Sequence, residues 1–136
     1  MSKKPEIKTW KDINTGGWIE SGTSEHFKTG DWRSKVPIWQ EKNCIQCMQC
    51  FAFCPDDAIK VTAEGKRTGY DYGFCKGCGI CAEECPITAK TIKELQKKGP
   101  NVKIDAWDGA KNPEYAEKAA ILMVSIKEAK EKHNIK

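Results

Sequence analysis

All eight cysteines of the chain fall between residues 44 and 85, in two runs of identical spacing. Cys44, Cys47, Cys50 and Cys54 are followed by Pro55, and Cys75, Cys78, Cys81 and Cys85 by Pro86. Each run therefore reads C-x2-C-x2-C-x3-C-P. Three cysteines at intervals of three wrap a tight loop, in which successive backbone N–H groups turn toward whatever the sulfurs hold. The fourth follows a longer step that begins a helical turn, so its thiolate is aimed elsewhere. The proline after it removes one N–H and fixes φ, which gives the chain a defined exit.

This pattern belongs to paired [4Fe–4S] clusters, with each run giving three thiolates to one cluster and its fourth to the other. Cluster A is then expected on Cys44, Cys47, Cys50 and Cys85, and cluster B on Cys75, Cys78, Cys81 and Cys54. Shared ligation ties the two halves together and sets the clusters close to one another. Two all-thiolate zinc sites are the competing reading of paired C-x2-C motifs. Zinc needs neither a third cysteine at the next interval, nor the proline, nor a faithful duplicate. Disulfides fit less well, because cysteines three apart close poor rings and Met1–Lys11 has no apolar secretory segment.

Size supports a structural role for the clusters. Gln40 to Lys90 is 51 residues, too few to rely on an apolar core alone. The expected class is α+β, a bacterial dicluster ferredoxin-like fold. Three segments are expected: an irregular arm over 1–35, the cluster domain over 36–96, and a C-terminal extension over 97–136 that ends in a helix. The net charge of +4 divides into +2 before Gln40, −1 from Gln40 to Lys90 and +3 afterward. That spread is too even for a nucleic-acid footprint, and no apolar run is of membrane-spanning length. Cluster cysteines imply a reducing, anaerobic cytoplasm, and abundant Lys and Glu hint at a heat-adapted source.

Along the chain, the arm shows no sustained period of 2 or 3.6, and turn signals crowd it at Asn14-Thr15-Gly16-Gly17, Ser21-Gly22 and Thr29-Gly30-Asp31. It nevertheless holds Trp10, Trp18, Phe27, Trp32 and Trp39, more aromatic surface than a small cluster domain can bury. An arm laid along another protein is the preferred expectation, and one folded back on its own domain the alternative. Val36–Trp39 reads as a first strand with Pro37 keeping it at an edge. Ala58–Thr62 and Gly69–Phe74 read as a hairpin about Glu64–Arg67. Ile45, Met48, Phe51 and Phe53 are expected to shield the clusters. Asp56 and Asp57 are expected to face water.

The second run carries Gly77 and Gly79 between its ligands where the first carries Gln46 and Gln49, so the two environments should differ. Ile87–Leu95 is the expected closing strand, paired with the first, and Val102–Trp107 a possible added strand. Asn112-Pro113 offers a cap with proline at the first helical position. Tyr115, Ala119, Leu122, Ile126 and Ala129 then recur at helical spacing, so an amphipathic helix is expected from Glu114 to His133. A second reading stays open, in which Ala119–Val124 closes the sheet and 88–117 is an insertion.

The arm and the two runs together resemble the delta subunit of the pyruvate and related 2-oxoacid:ferredoxin oxidoreductases. The matching stretches are SGTSEHFKTGDWRSKVPIW (Ser21–Trp39), CPDDAIKV after the first run, and YDYGFCKGCGICAEECP (Tyr70–Pro86). They span about residues 20 to 95, and the stretch from Gly99 onward lies outside the resemblance. The resemblance implies two [4Fe–4S] clusters and alpha, beta and gamma partner subunits. It also implies oxidative decarboxylation of a 2-oxoacid with thiamine diphosphate, magnesium and coenzyme A on those partners, and delivery of electrons to soluble ferredoxin. The chain itself offers no catalytic constellation; His26 and His133 read as ordinary surface or interface residues. Lys42, Lys60, Lys66, Arg67 and Lys76 are candidates for attracting an acidic ferredoxin. A free-standing dicluster carrier and a zinc module are the other classes.

Overall fold

A computed structural model describes residues 9–12, 15–18, 21–99 and 104–135. Among the described residues, two small antiparallel sheets and five α-helices form an α+β fold. Strand β1 (Lys35–Trp39) pairs with β4 (Ile121–Ser125), and β2 (Ile59–Val61) with β3 (Arg67–Tyr70). One-turn helices α1 (Gln49–Ala52) and α2 (Ile80–Glu83) close the two cysteine loops. Helices α3 (Pro86–Lys98), α4 (Pro113–Lys118) and α5 (Ile126–His133) follow.

The closing strand is therefore not Ile87–Leu95, which lies in α3. Ile87, Thr88, Thr91, Ile92 and Leu95 fall on one helical face, and the Thr91 hydroxyl donates to the Ile87 carbonyl at 2.9 Å. Pro86 at the first helical position was the signal for it. The second reading holds instead: β4 lies beside β1 with Ile38 opposite Leu122 and Val36 opposite Val124.

The long helix expected from Glu114 to His133 is also corrected. The Asn112 cap is present, its side chain accepting from the N–H groups of Glu114 and Tyr115. That helix nevertheless ends at Lys118, and a strand and a second helix follow. The physical reason is burial on both faces of β4. Ile121 and Met123 pack with the cysteines, whereas Leu122 and Val124 pack with Val36, Ile38, Tyr115 and Leu95. A strand buried on both sides is a continuous apolar run, and periodicity alone does not separate it from a buried helix. Residues 104–107 form no strand; the start of that expected element lies outside the described residues.

The last residues before β1 dock on the domain itself. The Gly30 N–H donates to the Gly73 carbonyl at 2.9 Å, and a Cβ at Gly30 would stand 2.2 Å from the Tyr72 carbonyl oxygen. The buried Arg33 guanidinium donates to the carbonyls of Tyr72 and Cys75. Lys28 covers the Phe74 ring with its ammonium 3.9 Å from the ring centre. The aromatics before β1 are open: Trp10, Trp18, Phe27 and Trp32 are 78%, 58%, 63% and 68% exposed.

Candidate iron–sulfur centres

Both cysteine loops share one backbone shape, reached in two ways. In the second run Gly77 and Gly79 have φ of 65° and 84°. In the first, Gln46 and Met48 adopt φ of 55° and 61°, a region that non-glycine residues enter at a cost. Gln46 is held there by its side chain, which accepts from the Arg67 N–H at 2.9 Å and donates to the Arg67 carbonyl. The second loop needs glycine outright, because a Cβ on Gly77 would sit 2.0 Å from the Lys35 carbonyl oxygen.

Two cavities result. The first, of about 20 Å³, is lined by Cys44, Cys47, Cys50 and Cys85. The second, also of about 20 Å³, is lined by Cys54, Cys75, Cys78 and Cys81. Each thus draws three cysteines from one run and the fourth from the other. Among the described residues no three His, Cys, Asp or Glu side chains are gathered so as to hold a single metal ion. Four thiols line each cavity, one for each iron of a cubane.

Donors already face the sulfurs. The Gln46 N–H lies 3.4 Å from Cys44 Sγ and the Ala58 N–H 3.3 Å from Cys54 Sγ. The Arg67 Nη1 donates to Cys50 Sγ at 3.3 Å, and the Tyr70 hydroxyl stands 3.3 Å from Cys81 Sγ. Burial pushes the Cys81 thiol up to about 12 and raises those of Cys50 and Cys75. Positive metal must therefore displace these protons to gain its thiolates. The residues present fit a pair of iron–sulfur clusters in donor type, number and surroundings.

Several expectations about flanking residues change. Ile45 and Met48 line the first cavity, but Ile45, Phe51 and Phe53 are exposed and shield little. Asp56 does not simply face water: it pairs with Lys76 beside the second cavity. Lys42, Lys60 and Lys66 are exposed, whereas Arg67 is buried and is no surface steering charge. Arg67, Tyr70 and Gln46 are the site residues that the motif alone missed. A signal existed. The chain uses lysine at 21 of its 23 basic positions, and both arginines, Arg33 and Arg67, are buried. A planar fork with weaker hydration is chosen where a cation must leave water.

Fold and cavities define a dicluster iron–sulfur protein. The family model for the 4Fe-4S dicluster domain matches residues 38–93. Pyruvate synthase subunit PorD of Thermotoga maritima is 47% identical over 84 residues, covering 61% of this chain and 84% of the relative. Ketoisovalerate oxidoreductase subunit VorD of Pyrococcus furiosus is 43% identical over 79 residues, covering 58% and 74%. Pyruvate-flavodoxin oxidoreductase of Enterobacter agglomerans is 31% identical over 117 residues, covering 69% of this chain and 10% of that longer one. The chain belongs to the delta-subunit family of the 2-oxoacid:ferredoxin oxidoreductases.

Proposed function

We propose that this chain is the electron-transfer subunit of an oxidoreductase that decarboxylates pyruvate or a related 2-oxoacid to an acyl-CoA. In this reading cluster A is held by Cys44, Cys47, Cys50 and Cys85, and cluster B by Cys75, Cys78, Cys81 and Cys54. Thiamine diphosphate, magnesium and coenzyme A belong to alpha, beta and gamma partner subunits. Soluble ferredoxin is the acceptor, in a reducing, oxygen-poor cytoplasm. The observation that carries the reading is the crossed set of cysteines around two adjoining cavities, linked through the Arg67–Tyr70 pair.

Bound [4Fe–4S] clusters supply one-electron exchange within a span of about −700 to +450 mV. The chain's own residues do the rest. The eight thiolates fix both groups to one rigid core. The N–H groups of Gln46 and Ala58, the Arg67 fork and the Tyr70 hydroxyl face ligand sulfurs, where donors stabilise added negative charge. Met48, Ile87 and Ile121 limit water at the first cavity, and Pro37, Ile59 and Tyr70 at the second.

The exposed Trp10, Trp18, Phe27 and Trp32 are anchors for the partner subunits. In the Enterobacter relative the matching stretch is one tenth of a single long chain, which supports a permanent association. Purification of the tagged full-length chain without oxygen tests the reading. Co-elution of thiamine-containing chains is the expected result. A lone brown protein identifies a free carrier, and a colourless zinc protein removes the iron reading.

A further inference from the structure

Arg67 is a buried cation in need of an anion. It is 3% exposed, and its guanidinium stacks between the rings of Trp39 and Tyr70, 4.9 and 4.4 Å from their centres. Nη1 reaches Cys50 Sγ, while Nε and Nη2 are buried with no hydrogen-bond partner. Among the described residues no carboxylate forms an ion pair with it. A guanidinium taken out of water without a counter-charge is strongly disfavoured. The group it faces is the one that Cys44, Cys47, Cys50 and Cys85 surround. Four thiolates with a cubane carry net negative charge, and one electron makes it more negative.

The second cavity is served differently. Its side-chain donor to sulfur is the neutral Tyr70 hydroxyl at Cys81. Lys76 beside it is paired with Asp56; the Arg33 guanidinium donates to the carbonyls of Tyr72 and Cys75, so its charge and that of Arg67 also act on this site, but the direct charged bond to a ligand sulfur is the one from Arg67 to Cys50. Charge-assisted donors are roughly twice as strong as neutral ones, and their pull on added charge is greatest in low dielectric.

Resting on the dicluster reading above, we propose that Arg67 is the residue that gives cluster A the higher reduction potential of the two. Its unpartnered N–H groups turn to the cluster sulfides or the remaining thiolates. The first electron added to the protein then resides at the Cys44, Cys47, Cys50 and Cys85 site. Downhill transfer moves one electron from the Cys54, Cys75, Cys78 and Cys81 site to it, with no bond made or broken. Arg67 acts as a positioning residue for charge and touches no substrate.

The test is a potentiometric EPR titration of the oxygen-protected full-length protein, with iron content measured first. Two separate midpoints are expected, and Cys44→Ser should alter the spectrum of the higher one. Arg67→Met should lower that midpoint toward the other, and Tyr70→Phe should lower the lower midpoint more than the higher one. If Arg67→Met fails to hold iron, Arg67→Lys is measured: a smaller drop of the same midpoint supports the proposal. An unmoved or raised higher midpoint in an iron-replete Arg67 variant overturns it, as does a spectrum assigning the higher midpoint to the second run. Wild-type protein lacking iron would instead strike at the dicluster reading itself.

Discussion

Pro37 of β1 lies directly opposite Met123 of β4 in the antiparallel pair. The pairing joins residues before the first cysteine to residues well beyond the last. Pro37 has no N–H to give, yet its carbonyl accepts from the Tyr72 hydroxyl at 2.9 Å. Met123 packs on its other side among Cys50, Cys81 and Cys85. The C-terminal segment is thus part of the wall around the clusters.

Removal of residues 119–136 should therefore abolish cluster retention, because it takes away β4 and both of its packing faces. Leu122→Ala, which leaves the strand but opens the outer core, should cost about 2–5 kcal/mol. Denaturant titration followed by loss of visible absorption measures both. A truncated protein that keeps its iron would show that β4 is dispensable.

Cys54 lies in the first run but lines the second cavity. Cys54→Ser should damage the cluster of Cys75, Cys78 and Cys81 and leave its own run's cluster intact. Iron content and EPR of the reduced protein read this directly. Loss of the first-run signal would contradict the crossing.

Gly77→Ala and Gly79→Ala should differ in severity. A Cβ at Gly77 meets the Lys35 backbone, whereas one at Gly79 would stand 2.6 Å from the Trp107 ring, a side chain able to shift. Both positions also have positive φ, which costs roughly 1–2 kcal/mol for a residue with a Cβ. Gly77→Ala should lose the second-run cluster, and Gly79→Ala should retain it with a faster rate of bleaching in air. Equal retention would mean that β1 yields at Lys35.

Deletion of residues 1–27 should leave both clusters in place, since the docking contacts of Lys28, Gly30 and Arg33 remain. It should weaken association with the partner subunits. Trp32→Ala alone should cost about 2 kcal/mol or more of that affinity if it is a buried anchor. Quantitative pull-down without oxygen compares the three proteins, and unchanged recovery would remove the arm from the interface.

Much of the site was legible in the cysteine spacing. The two runs announce which cysteines line which cavity, because each sulfur's direction is decided within its own loop. The Asn112 cap was likewise readable, being local in origin, and so was the hairpin in kind, although its returning strand runs Arg67–Tyr70 and 71–74 is not strand. Arg67 was misread as a surface charge, although its rarity among lysines was visible. Phe51 and Phe53 were misread as shields, because which side chains a one-turn helix and its exit turn to solvent depends on what lies across from them.

What the amino-acid order settled by itself is therefore the donor set: eight cysteines in two loops of one spacing, each followed by a proline exit. What the tertiary structure alone decided is which segment closes the fold and where the buried cation sits. Ile121–Val124 has no periodicity of its own, because neighbours cover both its faces. Arg67 acquires its role only when β3 sets it against Trp39, Tyr70 and a thiolate drawn from a distant loop. Local spacing fixes what depends on near neighbours, and burial by remote residues fixes the remainder.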